Sequence, residues 1–224
     1  MNAIPLPTQF LYEFSIDPAI VDKSLEYFLS LDLQSRPSLL DVPNSMEGVG
    51  LNQVLDLGGK SESVTCLYHK ELFDELQKCV DQVAEKHFKT TKLAICDSWL
   101  TRSKFGQASG VHFHQCSVFS GLLYMTDQER SETLFYLHDP FYMRNQHLFG
   151  LSMNEIPYKY TVKPVKGKLL LWDSSIDHRV GPLTEKNIRY TFAFNTWPTG
   201  MISNLFTGKL TSNVVDVEQL SQKS

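Results

Sequence analysis

The chain has 224 residues, 42% hydrophobic and 12% aromatic, which is enough to bury a sizeable core in one domain. A net charge of -4 gives no electrostatic footprint for nucleic acid, and no apolar run approaches membrane-spanning length. The four cysteines, Cys66, Cys79, Cys96 and Cys116, form no Cys-x-x-Cys pair, so the composition suggests neither a cysteine-ligated zinc site nor a disulfide scaffold.

The first residues, Met1-Asn-Ala-Ile-Pro-Leu-Pro, lack the charged and apolar regions of a secretory signal, and the expected location is the cytoplasm, the host's if the chain is viral. Asp17-Pro18 reads as a helix start, with aspartate as the cap and proline in the first turn; Ile20, Val21, Leu25, Phe28 and Leu29 recur at helical spacing behind it. Residues 32–68 read as loop with two short strands. A second helix is expected over 70–88, with Leu72, Phe73, Leu76, Val80 and Val83 on one face. Two amphipathic helices must bury those faces, and the outside of a β-sandwich offers the surface. The expected layout is a helical part at 1–90, a β core at 91–200 and a polar tail at 201–224.

Within the β core, 117–125, 168–172 and 190–194 are short, apolar and rich in strand formers, as strands buried on both faces are. His112-Phe113-His114 precedes the first of them. Two histidines at i and i+2 on an extended segment project from the same side, so both could reach one metal ion. His178 follows the second strand, and Gly181-Pro182 with Glu185-Lys186-Asn187 marks a loop before Arg189, so His178 and Arg189 are expected on successive strands of a hairpin. From Arg189 one face continues through Thr191, Ala193 and Asn195. An arginine with a hydroxyl two residues on is a sensible receptor for a carboxylate.

The run Val111-His112-Phe113-His114-Gln115-Cys116-Ser117-Val118-Phe119-Ser120-Gly121-Leu122-Leu123-Tyr124, then Gly167-Lys-Leu-Leu-Leu-Trp172, His178 and Arg189-Tyr-Thr-Phe-Ala-Phe-Asn195, resembles the iron(II)- and 2-oxoglutarate-dependent oxygenases. Within them it is similar to a bacterial and marine-phage branch with a His-x-His element before a Ser-Gly-x-x-Tyr strand. The resemblance covers about residues 94–197. It implies a mainly β fold with flanking helices: a double-stranded β-helix, jelly-roll or cupin-like, buttressed by the two N-terminal helices. It also implies His112, His114 and His178 as the catalytic metal ligands, with His114 where most relatives carry a carboxylate. Arg189, Thr191 and Tyr124 would hold the distal carboxylate of 2-oxoglutarate. Apart from the resemblance, Trp99, Asn195 and Trp197 could line the substrate end of such a barrel, where aromatics equally suit filling its core. The implied cofactor is Fe(II), and the implied partners are 2-oxoglutarate, O2 and a substrate that is a protein side chain such as proline or a small metabolite. Succinate and CO2 would be released. The oligomeric state stays open, with a homodimer among the options.

Each residue also has a plainer reading. His112 and His178 suit a core bonded to backbone, His114 suits a supporting donor, Arg189 a surface ion pair and Tyr124 an ordinary core aromatic. Asp173 and Asp177 flank the strand with His178, and either could orient an imidazole. His138-Asp139-Pro140 opens a turn, and the following loop at 141–154 has the composition of a lid. Two other readings use the same residues: a cupin-like three-histidine metalloprotein, where Arg189 binds substrate directly, and a metal-free binding module.

Overall fold

The computed structural model describes residues 9–30, 34–37, 53–56, 69–88, 91–115, 117–136, 159–204 and 208–212. His138-Asp139-Pro140, the lid-like loop 141–154, Cys66, Cys116 and most of the C-terminal tail lie outside the described residues.

The strands are β1 (Leu11–Ser15), β2 (Gln34–Pro37), β3 (Gln53–Asp56), β4 (Lys92–Ser103), β5 (Phe119–Tyr124), β6 (Thr133–Tyr136), β7 (Lys159–Val162), β8 (Lys168–Asp173), β9 (Asp177–Val180), β10 (Arg189–Asn204) and β11 (Gly208–Ser212). The helices are α1 (Pro18–Ser30) and α2 (Lys70–His87). A large sheet runs β1-β8-β5-β10-β4-β3-β2, with β11 added to β10; a small sheet runs β7-β6-β9. Every pairing is antiparallel. This is the expected double-stranded β-helix.

Period-two alternation explains the continuous apolar runs. On β8, Leu169 and Leu171 join one core cluster, while Leu170 and Trp172 join another. Strand β10 divides in the same way, with Phe192 and Phe194 on the first side and Ala193 on the second. The first cluster includes Val21 and Phe28 of α1 and Leu72, Leu76, Val80 and Val83 of α2, so the helices cover the outer face of the large sheet. The second includes Phe135 and Val162 of the small sheet and fills the space between the sheets.

Helix α1 starts where the sequence places it: Asp17 Oδ1 accepts from Ala19 N at 2.9 Å, and Phe28 stacks on Phe192 with centroids 5.4 Å apart. Leu29, expected on the buried face, is instead 47% exposed in the helix's last turn. At α2 the cap is His69, whose Nδ1 accepts from Leu72 N. No helix among the described residues is long and apolar enough to cross a membrane.

The expected hairpin between His178 and Arg189 does not form. Strand β9 pairs with β6 in the small sheet, whereas β10 lies between β5 and β4 in the large one. The connection carries the chain from one sheet to the other, and its polar groups bond elsewhere: Gly181 N donates to Glu132 O and Leu183 N to Gln107 O. A turn signal shows where a strand stops and does not show which sheet the next strand joins.

Gly121 on β5 allows the closest packing in the large sheet. A Cβ there would lie 2.2 Å from the Phe194 ring, which is itself fully buried against the helices. Gly121→Ala should lower stability by about 1–3 kcal/mol through overpacking, read as a lower urea midpoint with an unchanged slope.

Candidate metal centre

Three histidines meet where the two sheets approach each other. His112 N donates to His178 O at 2.9 Å and His178 N donates to His112 O at 2.8 Å, an isolated antiparallel bridge between the segment after β4 and strand β9. Residues paired across such a bridge carry their side chains together, and the two rings lie 4.3 Å apart. His114 is fixed by its own N–H, which donates to Ser174 O at 3.0 Å, and its ring lies 5.4 Å from that of His112 and 5.0 Å from that of His178. One nitrogen from each ring falls within 4.8 Å of the others. The sequence expectation that these residues converge is met, although His112 and His114 sit on irregular chain and not on a strand.

Hydrogen bonds settle which nitrogen each ring offers. His112 Nδ1 lies 2.9 Å from Gly110 O and His178 Nδ1 3.0 Å from Ile176 O. A carbonyl only accepts, so each Nδ1 carries the proton. His114 Nδ1 is 2.6 Å from Asn195 Oδ1 and 2.9 Å from Ser120 Oγ, and the amide oxygen again requires Nδ1–H. All three Nε2 atoms therefore keep a lone pair. Neutral imidazoles held in this way are what a divalent transition metal requires.

Burial holds the rings neutral. His178, 4% exposed, has its pKa driven well below 6.5 by desolvation and by the neighbouring His112 and His114. Desolvation also lowers His112, against the raising effects of the Gly110 carbonyl and the Asp177 charge. For His114, desolvation brings the value to about 4, opposed by the bond to Asn195. His112 and His114 are half-buried, so the cluster opens on their side.

Neither Asp173 nor Asp177 is the ring-orienting partner that the sequence allowed. Asp173 Oδ1 accepts from Ser175 N and Oγ, while Asp177 influences His112 through its charge. The orienting groups are backbone carbonyls together with Asn195 and Ser120, which are register partners on β10 and β5. Asn195, expected at the substrate end, thus serves to hold His114. Ser120 Oγ bonds onward to Ser174 Oγ at 2.7 Å, and Ser174 Oγ to Ser117 Oγ at 2.8 Å. Alternation along 117–125 puts Ser120 on one face with Leu122 and Tyr124, a signal the sequence reading passed over. Trp99 packs against His114 at 5.7 Å. Trp197 is half-buried on β10, beyond the register shift at Asn195/Thr196.

Arg189 is 1% exposed and is no surface ion pair. One terminal nitrogen donates to Ser131 O and Oγ, and the other donates to Ser103 Oγ at 2.9 Å. Ser131 reaches it from a backbone at φ 82°, a conformation no sequence pattern announces. Nε has no partner, and no carboxylate lies within 4.0 Å among the described residues. Desolvation lowers its pKa to about 10, so the guanidinium stays charged at neutral pH. A buried cation without a counter-charge is costly, and an anionic ligand would supply one. Tyr124, the register partner of Thr191, lies close enough for its hydroxyl to feel the arginine's charge; that hydroxyl donates to Thr133 Oγ1 at 2.6 Å, and burial raises its pKa. Both Tyr124 and Thr191 are buried.

A double-stranded β-helix with three histidines at the meeting of its sheets defines a class of metalloprotein. Residues 97–195 match the sequence profile of a family described as "Putative 2OG-Fe(II) oxygenase". The match spans the β core, and the family it describes is one of oxidoreductases whose metal is iron(II) and whose co-substrate is 2-oxoglutarate. No curated protein sequence matches the chain. Among solved structures it is similar to a prolyl-4-hydroxylase of Pseudomonas putida, at 13% identity and TM-score 0.51, covering 84% of this chain and 93% of that one. It is also similar to a 2OG-Fe(II) oxygenase family oxidoreductase of Burkholderia pseudomallei, at 11% identity and TM-score 0.57, covering 84% of each. A third is HygX of Streptomyces hygroscopicus with nickel and 2-oxoglutarate bound, at 13% identity and TM-score 0.54, covering 86% and 84%. At these identities the likeness shows the fold.

The depressed imidazole pKa values set a pH dependence. Below 6.5 the unfolded chain takes up protons that the folded site refuses, so stability is full above that value and falls as pH drops toward about 4, the folded value for His114. The urea midpoint of the metal-free protein should fall between pH 7.5 and pH 5 and fall less in His114→Gln.

Proposed function

We propose that this chain is an Fe(II)- and 2-oxoglutarate-dependent dioxygenase, with His112, His114 and His178 holding the metal and Arg189 holding the far carboxylate of 2-oxoglutarate. The observation that carries the reading is the pairing of two incomplete groups: three imidazoles with one nitrogen each within 4.8 Å of the others, and a buried guanidinium whose Nε has no partner among the described residues. Iron(II) bound there would let O2 oxidise both 2-oxoglutarate, giving succinate and CO2, and a substrate C–H bond, giving the alcohol, with one oxygen atom passing to each product. The chain's residues position and shield. The Gly110 and Ile176 carbonyls and Asn195 lock the imidazoles; Tyr124 and Thr191 wall the anion site; Phe135 and Trp172 exclude water.

The substrate enters on the open side, where His112 and His114 are half-buried and Val111 and Phe113 present apolar surface at 36% and 49% exposure. Trp99 stands at that opening against His114. A protein side chain such as proline and a small metabolite are the substrate classes for this opening.

One observation favours a second reading. His114 replaces a carboxylate, as in cupin-like three-histidine enzymes, and Arg189 would then bind the substrate's own anionic group. Anaerobic addition of Fe(II) and 2-oxoglutarate separates the two readings. The oxygenase gives a weak visible charge-transfer band that is lost in Arg189→Ala, with co-substrate affinity reduced at least about a hundredfold. The cupin-like protein binds iron and shows no band. Elemental analysis after reconstitution should find stoichiometric iron in the parent and none in His112→Ala; absence of metal from both would leave a binding module.

Asn195→Ala should weaken metal binding about 10–100-fold by releasing the His114 tautomer, while Asn195→Gln should recover part of the loss. Competition with a chelating dye measures this directly.

A further inference from the structure

The inner face of the large sheet holds a second buried donor with nothing to bond. Trp172 is 1% exposed, and its Nε1 has no hydrogen-bond partner among the described residues. An indole N–H only donates, so neither the metal nor the arginine can satisfy it; it needs an oxygen or another acceptor placed between the sheets. Its surroundings identify the position. The Trp172 ring lies 4.8 Å from His178, 6.1 Å from His114 and 5.2 Å from Phe135. Its register partner across β5 is Ser120, which faces Asn195 on β10, so Trp172 stands on the same rung of the sheet as the groups that hold His114.

Tyr124 and Thr191 lie four residues further along the same face, and Arg189 lies beyond them. Among the described residues the inner face presents Trp172 Nε1, on a ring packed against the imidazoles, and Arg189 Nε at the far end as unsatisfied buried donors. A ligand with an anionic oxygen at each end completes both. The neighbours of Trp172 in its cluster are otherwise apolar, apart from the Tyr124 hydroxyl already committed to Thr133.

We infer that Trp172 is a co-substrate-binding residue, its indole N–H donating to the carboxylate of 2-oxoglutarate nearest the metal. This rests on the oxygenase reading above and adds to it a contact that fixes the chelating end of the co-substrate, as Arg189 fixes the other. Phenylalanine would fill most of the same space without the donor, so the tryptophan's nitrogen is the group under test.

The test uses the full chain loaded with Zn(II), which is diamagnetic and redox-inert, and labelled with 15N at its three tryptophans, Trp99, Trp172 and Trp197. The Trp172 indole cross-peak is identified by its loss in Trp172→Phe. Adding 2-oxoglutarate should move that peak downfield, as a new hydrogen bond does. Levulinate (4-oxopentanoate) keeps the far carboxylate and the keto oxygen but carries a methyl group where 2-oxoglutarate has the carboxylate nearest the metal, and should leave the peak in place. Calorimetry should show Trp172→Phe binding 2-oxoglutarate about tenfold more weakly than the parent, the loss of one charge-assisted hydrogen bond. If calorimetry shows 2-oxoglutarate bound while the peak stays still, or if levulinate moves it equally, the assignment of Trp172 is overturned and the oxygenase reading stands. If the metal-loaded parent binds no 2-oxoglutarate, both are overturned.

Discussion

The reciprocal pair of backbone hydrogen bonds between His112 and His178 is the constraint on which the site depends. It joins the small sheet to the segment leaving β4, and the same two peptides bring two imidazoles side by side. Ser109 extends the tie to β9, its N–H donating to Val180 O at 3.1 Å and its Oγ accepting from Val180 N at 2.7 Å, so the registry of the segment is fixed over several residues. The bond from His114 N to Ser174 O adds a second tie just past β8, placing the third ring on the same floor. Backbone geometry thus does the first part of the work that a bound metal would complete. This matters for three uncharged ligands, which gain no attraction from the ion until they are already in place.

Around that floor the fold separates two kinds of burial. On the helix side of the large sheet the apolar side chains interlock, with Phe28 stacked on Phe192 and Gly121 making room for Phe194. On the inner side the same strands bury serines, threonines, a tyrosine and an arginine. Packing on the outer face holds the strands at fixed spacing, which allows the inner face to carry unsatisfied donors. A buried guanidinium with its Nε unpaired and a buried indole N–H would be steep liabilities in a loosely held core. They persist because the strands that bear them are fixed by groups on the opposite side.

Much of this was legible in the sequence, and the reason is periodicity. Alternation marked β5, β8 and β10, helical spacing marked α1 and α2, and the His-x-His pair with His178 and Arg189 marked the site. Contacts between distant segments were the illegible part. That β9 and β10 belong to different sheets depends on which neighbours capture Gly181 and Leu183, and no local signal reports it. Asn195 could be placed on its face, but its bonds to Ser120 and His114, 75 and 81 residues away, could not be read locally. Ser103 and Ser131, which hold Arg189, come from three separate stretches of chain with it, one through a left-handed turn. Leu29 shows the opposite limit, since its helical spacing is correct but the helix outruns the surface beneath it.

The third imidazole has an electrostatic consequence for the proposed ligation. A two-histidine, one-carboxylate face would cancel one of the metal's two positive charges, whereas three neutral rings cancel none. The inner face then holds a divalent ion and, further along, the charge of Arg189, and no described carboxylate lies within 4.0 Å of that guanidinium to offset it. In a low-dielectric interior like charges raise each other's cost. A dianion with a carboxylate at each end relieves both at once. Metal and co-substrate then reinforce each other's binding, and by linkage the gain is the same whichever arrives first. Where a carboxylate ligand would hold the metal independently of the co-substrate, this site makes the two interdependent.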